Sequence, residues 1–340
     1  MANEIFPSLV GNARLKERLC ADVLDGAISH AYIIEGPEGS GKHTLARDFA
    51  AALSCARRGE AKKLPCGECP SCKKILQSKS PDVIYVNRAE RATLGVDSIR
   101  FIRSDVAVAP NDTDYKIYVI EDAHTMTDQA QNAFLLTLEE PPSYVLFLLL
   151  CDGAEKLLET VKSRAPILRM ECPSESETKD YLLRRSEFCE LSEDEKRTVL
   201  LASNGYIGAA LNLLDKKKRA PIIKRREVAK GFVRACATRI GEDAVSAVTA
   251  FGAKRDEICE CVAQISLALR DLSMIKKSDR APLLFYTDRE EAVSDAEKFN
   301  ALRLMEISDC ISDIEEMIAR NANAKLIAMK LMLCAFGERT

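Results

Sequence analysis

The sequence contains no tryptophan, and aromatic residues make up only 6% of it. Ring faces on which unpaired bases stack are therefore scarce, which disfavours a nucleic-acid binder working alone. No long apolar run is present. The densest, Tyr144–Cys151, falls far short of the roughly 20 residues that span a bilayer. Met1–Arg18 has no basic head followed by an apolar stretch, which argues against a secretory signal and for a cytoplasmic protein. Neither sign of charge dominates: 49 Lys and Arg face 52 Asp and Glu, a net charge of −3. Such a chain is not a polybasic nucleic-acid binder, and DNA contact would need a local patch or partner subunits. No solenoid-length repeat or low-complexity tract appears. The 13 cysteines are odd in number and scattered, so reduced thiols are expected, not a disulfide framework.

What is present is a globular composition. The chain has 340 residues, 47% hydrophobic and 30% charged. It is long enough for a sizeable core, and the usual range of roughly 100–200 residues per domain predicts two or three domains. In the first half, short β-type runs alternate with helical stretches. Strands are expected at Ala31–Gly36, Val83–Val86, Ile117–Ile120, Val145–Leu150 and Ile167–Met170. Helices are expected at Gly41–Cys55, Val96–Val108 and Asp128–Glu139. That alternation predicts a doubly wound parallel sheet. After Cys172–Pro173 the strand signals stop. Ser174–Lys217 reads as a small helical module with a break near Asn204–Gly205, and Ala220–Thr340 as helical throughout. Leu304, Ile307, Ile311, Ile314 and Ile318 form an apolar seam, too short for a coiled coil and expected in a core. The fold class is thus α/β plus all-α, in three units.

Gly36-Pro37-Glu38-Gly39-Ser40-Gly41-Lys42-His43-Thr44 follows a strand and opens a helix, the setting a P-loop requires. Its glycines let backbone N–H groups face phosphate, and the helix N-terminus adds positive potential. Lys42 would reach the outer phosphates. The residue after that lysine normally offers a hydroxyl to Mg²⁺; here it is His43, and Thr44 arrives one residue late, about 100° around the helix. A second phosphate-site strand ends in Glu121-Asp122, the reverse of the usual Asp-then-Glu order, in which the first acid holds metal and the second polarises water. The loop suits ATP or ADP, His43 leaves Mg²⁺ without its usual hydroxyl ligand, and a loop kept only as a structural turn is the competing reading.

Cys55, Cys66, Cys69 and Cys72 carry two overlapping C-x2-C steps, which suits tetrahedral thiolate coordination of Zn²⁺. Four ligands leave no open position, so such a site would be structural; an iron–sulfur cluster is the minor alternative. Cys20, Cys151, Cys172, Cys189, Cys236, Cys259, Cys261, Cys310 and Cys334 are expected to be small core residues.

Together these features resemble the bacterial DNA polymerase III clamp loader, an AAA+ family. Its gamma/tau and delta-prime subunits carry a four-Cys insertion after the P-loop helix. His30-Ala31-Tyr32, the long stretch from Asn132 to Pro142, Lys162-Ser163-Arg164 and Asn321–Leu326 carry the likeness. The resemblance implies an AAA+ P-loop domain over 1–171 with the zinc module at 55–72, a helical lid over 172–218 and a helical collar for oligomerisation over 219–340. It also implies that Arg164 serves as an arginine finger in a neighbour's ATP site. The family's own-site lid arginine falls at Gly208. With His43, Asp122 and Thr93-Leu94-Gly95-Val96-Asp97, this is similar to the stator-like delta-prime type. The implied partners are gamma/tau ATPase subunits and a delta subunit, with the sliding clamp and primed DNA reached through the assembled complex. The implied enzyme is the DNA polymerase III holoenzyme, with little or no ATPase of this chain's own. A gamma/tau-type motor and a zinc-dependent DNA-binding protein are the alternatives. The basic stretch Lys216–Arg219 with Lys224, Arg225 and Arg226 reads as a solvated face, with a DNA path inside the assembled ring as the alternative.

Overall fold

A computed structural model describes residues 4–59, 63–88, 92–252, 254–278 and 280–337. The chain packs as two units, Met1–Arg185 with Gly205–Leu211, and Ser186–Asn204 with Asn212–Thr340. The division falls inside the helical stretch 174–217.

The first unit runs β1 (Glu4–Ile5), α1 (Ala13–Asp25), β2 (Ala31–Glu35), α2 (Lys42–Leu53), β3 (Lys63–Leu64), α3 (Pro70–Leu76), β4 (Val83–Val86), α4 (Val96–Asp105), β5 (Lys116–Ile120), α5 (Asp128–Glu139), β6 (Val145–Cys151), α6 (Glu159–Lys162), β7 (Ile167–Arg169) and α7 (Glu175–Leu182). Five strands form one parallel sheet in the order β4-β5-β6-β2-β7. Successive strand residues alternate between its faces. Tyr32, Ile34, Ile117, Val119, Leu146, Leu148 and Leu150 join one core with α1 and α2. Ala31, Ile33, Tyr118, Ile120, Phe147 and Leu149 join the other with α4 and α5. Strand β6 is buried from end to end, as a central strand covered on both faces must be.

Helix α5 starts where Thr127 accepts the Ala130 N–H and stops ahead of Pro141. Helix α4 ends three residues before the expected Val108: Val106 is its C-cap, and the Val108 N–H already turns back to Asp105. The expected break at Asn204–Gly205 is a pair of left-handed residues. Helix α1, whose buried Leu15, Leu19 and Val23 repeat every fourth residue, was not among the expected elements.

The second unit is helical: α8 (Ser186–Cys189), α9 (Glu193–Ala202), the end of α10 (Ile207–Leu214), α11 (Lys216–Thr238), α12 (Gly241–Thr249), α13 (Arg255–Ile275), α14 (Arg289–Glu297), α15 (Ala301–Ala319) and α16 (Ala324–Phe336). Leu304, Ile307, Ile311 and Ile314 of the apolar seam lie in its core, with Ile318 half-buried beside them. The Asp271 carboxylate is fully buried and accepts the backbone N–H groups of Leu284, Phe285 and Tyr286. Asp271→Ala strands all three donors and is expected to lower stability by about 3 kcal/mol. Denaturant unfolding checks this; a loss within error would show that the 284–286 turn is held by packing alone.

The basic stretch is not a plain solvated face. Arg219 is buried, donates to Leu213 and Leu214 carbonyls and pairs with Glu195 at 2.8 Å. Arg226 is buried against the Leu284 and Phe285 carbonyls, and Arg225 pairs with Glu260. Two of the cysteines expected in the core are exposed: Cys172 lies in the loop between β7 and α7, and Cys189 ends the short helix α8. Among the described residues, no helix is long and apolar enough to cross a membrane.

Candidate nucleotide and metal sites

The parallel order brings the carboxyl ends of β2, β5 and β6 side by side, where open α/β sheets bind ligands. Gly36–Gly41 follows β2, Glu121 and Asp122 follow β5, and Asp152 follows β6. Gly39 and Gly41 both have positive φ, a backbone that a side chain would strain. Lys42 opens α2 and is buried; its ammonium donates to the Gly36 carbonyl, to the Pro37 carbonyl at 3.3 Å and to Asp152 Oδ1 at 2.6 Å. His43 is exposed, and its Nδ1 lies 3.3 Å from Glu121 Oε1. Thr44 is half-buried. Asp122 sits in a left-handed turn, with Oδ2 3.3 Å from Arg88 Nε. The structure thus brings Gly36, Gly39, Gly41, Lys42, His43, Glu121 and Asp122 to one crevice. Lys42 and Asp122 have ion-pair partners within the chain, Asp152 and Arg88.

Two contacts at this crevice were not read from the sequence. One is Asp152. Its acid character at the end of an apolar strand was the available signal, but only the sheet order places it beside Lys42. Burial alone would raise its carboxyl; the hydrogen bond and charge of Lys42 outweigh that and hold it below the usual range. The other is the start of α10. The Gly208 N–H donates to the Gly39 carbonyl at 2.9 Å, and a Cβ on Gly208 would fall 2.7 Å from that oxygen. Glycine at 208 therefore permits this approach.

Arg164 lies after α6, about a third exposed, away from the crevice residues in its bonding. Its guanidinium pairs with Glu139 Oε1 at 2.8 Å and donates to the Thr160 carbonyl at 2.9 Å. Glu139 stands 25 residues away in the chain, so no local pattern marks it as the partner.

Cys55 follows α2, Cys66 and Cys69 lie in the next loop, and Cys72 is in α3. Their four sulfurs lie within 4.8 Å of one another. The Cys66 and Cys72 sulfurs are 3.9 Å apart, close to the edge of about 3.8 Å that a zinc–thiolate tetrahedron requires. That is far beyond the ~2.05 Å of a disulfide. Burial would raise Cys66, but the N–H groups of Cys69 and Glu68 point at its sulfur and bring it down to about 7. Burial pushes Cys55 and Cys72 up. A bound cation would reverse this by holding both as thiolates. Donor set and spacing fit zinc, which would tie α3 to the end of α2.

Residues 11–174 match the family described as DNA polymerase III, delta subunit. The chain is 38% identical to DNA polymerase III subunit tau of Bacillus subtilis over 159 residues, 47% of this chain and 28% of that protein. It is 30% identical to DNA polymerase III subunit gamma of Buchnera aphidicola over 212 residues, 62% of this chain and 57% of that one. A gamma subunit-related protein from Thermotoga maritima superposes with a TM-score of 0.47 at 17% identity, covering 94% of this chain and 98% of its own. The matches to these curated relatives thus take in less than two thirds of either relative's length. Residues 11–174 thus resemble the DNA polymerase III delta-subunit family, and the chain is similar to tau and gamma subunits of DNA polymerase III.

Proposed function

We propose that this chain is a delta-prime-type, stator-like subunit of a DNA polymerase III clamp loader. In this reading residues 1–171 form the AAA+ nucleotide-type domain, 172–218 a lid and 219–340 a collar through which subunits assemble. Arg164 acts in trans, meeting charge that develops on the γ-phosphate in a gamma/tau neighbour's site. A delta subunit, the sliding clamp and primed DNA complete the set of partners, in the cytoplasm. Zinc at Cys55, Cys66, Cys69 and Cys72 is structural. The chain's own P-loop has lost the means of fast hydrolysis: a hydroxyl at His43, the usual acid order at Glu121-Asp122 and a lid arginine at Gly208.

The observation that carries this reading is an asymmetry. Arg164 is kept, a third exposed and held by one surface acid, whereas Lys42 of the chain's own P-loop is buried and engaged by Asp152. The motor alternative draws its support from the intact Gly41–Lys42 step between strand and helix. ATP turnover by the purified chain separates the two. The stator reading expects no release of phosphate above background, with or without Mg²⁺; sustained turnover that disappears in Lys42→Ala would establish a motor instead.

A further inference from the structure

The P-loop of this chain already holds an anion of its own. Lys42 directs its ammonium to two loop carbonyls and to the Asp152 carboxylate, so its donors are engaged within the chain. Asp152 is fixed in turn. Its N–H donates to His124 Nδ1 at 3.3 Å, and its other carboxylate oxygen lies 3.7 Å from His124 Nε2. Two residues on, the Ala154 N–H donates to Glu35 Oε1 at 3.1 Å. On the other side, the Gly36 N–H donates to the Cys151 carbonyl at 3.1 Å. The turn that carries the carboxylate is therefore pinned both to the P-loop strand and to the turn after β5 that carries His124.

From this we infer that Asp152 is an intramolecular ligand of the P-loop, competing with nucleotide phosphate for the Lys42 ammonium and setting how weakly the chain takes nucleoside triphosphates. The inference rests on the reading of Gly36–Thr44 as a degenerate nucleotide site. A charged hydrogen bond in a partly buried crevice must be given up before Lys42 can serve a phosphate. An incoming triphosphate would also face a carboxylate of like charge at close range. A site whose competent form is a minor fraction binds more weakly by that fraction.

The test is calorimetric titration of ATP, and separately of inorganic pyrophosphate, into the full-length zinc-loaded chain. Asp152→Asn keeps the shape and removes the charge, and Asp152→Ala removes both. Each is expected to tighten ATP and pyrophosphate binding by at least about tenfold over the native chain. Glu155→Gln, a nearby charge that does not touch Lys42, is expected to leave both unchanged. The double variant Lys42→Ala/Asp152→Asn is expected to lose the gain. Native binding as tight as that of Asp152→Asn would overturn the inference, and so would an equal gain from Glu155→Gln. Because Asp152 is half-exposed, neither of its variants removes a core contact, and circular dichroism with zinc content confirms the fold. Neither result bears on Arg164, so this inference can fail while the proposed function stands, and the reverse.

Discussion

Cys69→Ser is expected to release the metal and lower the stability of the first unit by at least about 3 kcal/mol. On the scale of a domain of this size, that moves its melting midpoint down by roughly 6–12 °C. The sulfur also caps α3, accepting the Cys72 N–H, a bond a serine hydroxyl takes over, so the loss comes from the metal that ties α3 over α2. Helix α2 is buried along almost its whole length, and Cys72 approaches the Ala51 carbonyl from the module side. Uncovering it exposes Leu53 and its neighbouring alanines to water. Elemental analysis and differential scanning calorimetry read the two consequences separately. Full metal content with an unchanged midpoint would show that the four sulfurs are not a zinc site.

Arg164→Ala is expected to lower the stimulated ATPase of a reconstituted loader by about a thousandfold, with assembly intact by gel filtration. The planar guanidinium presents two parallel donors to a phosphoryl group, which an ammonium cannot reproduce, so Arg164→Lys is expected to recover little. In the free chain that fork is engaged by Glu139. Service to a neighbour means leaving this partner, a surface pair worth at most about 1 kcal/mol. Glu139→Gln is therefore expected to leave loader activity near the native level. Loss of activity in Glu139→Gln equal to that in Arg164→Ala would mean that the pair is a structural clamp.

The parts of the fold that could be read from sequence are those specified by local pattern. Strand β4 and helix α5 lie where their residues predict, because an apolar run bounded by breakers and a capped helix stopped by prolines are local signals. The cysteine quartet was legible for the same reason: its ligands fall close together in the chain, and their spacing is itself the geometry. Asp152 was not legible, because it meets Lys42 across 110 residues and only the placing of β6 next to β2 unites them. The same holds for Gly208 on Gly39 and Glu139 on Arg164. Charge was the least readable feature. The arginines after Lys216 look alike in sequence, yet Arg219 and Arg226 point inward to carbonyl groups that a chain-local pattern cannot reveal.

In the proposed function this chain serves a neighbour's ATP site and does not run its own. The most direct measurement is the clamp- and primed-DNA-stimulated ATPase of loaders that differ only in this subunit, comparing native chain, Arg164→Ala and Lys42→Ala. Turnover is expected to collapse with Arg164→Ala and to stay near native with Lys42→Ala. The opposite pattern, loss with Lys42→Ala and tolerance of Arg164→Ala, would make the chain a motor and contradict that reading.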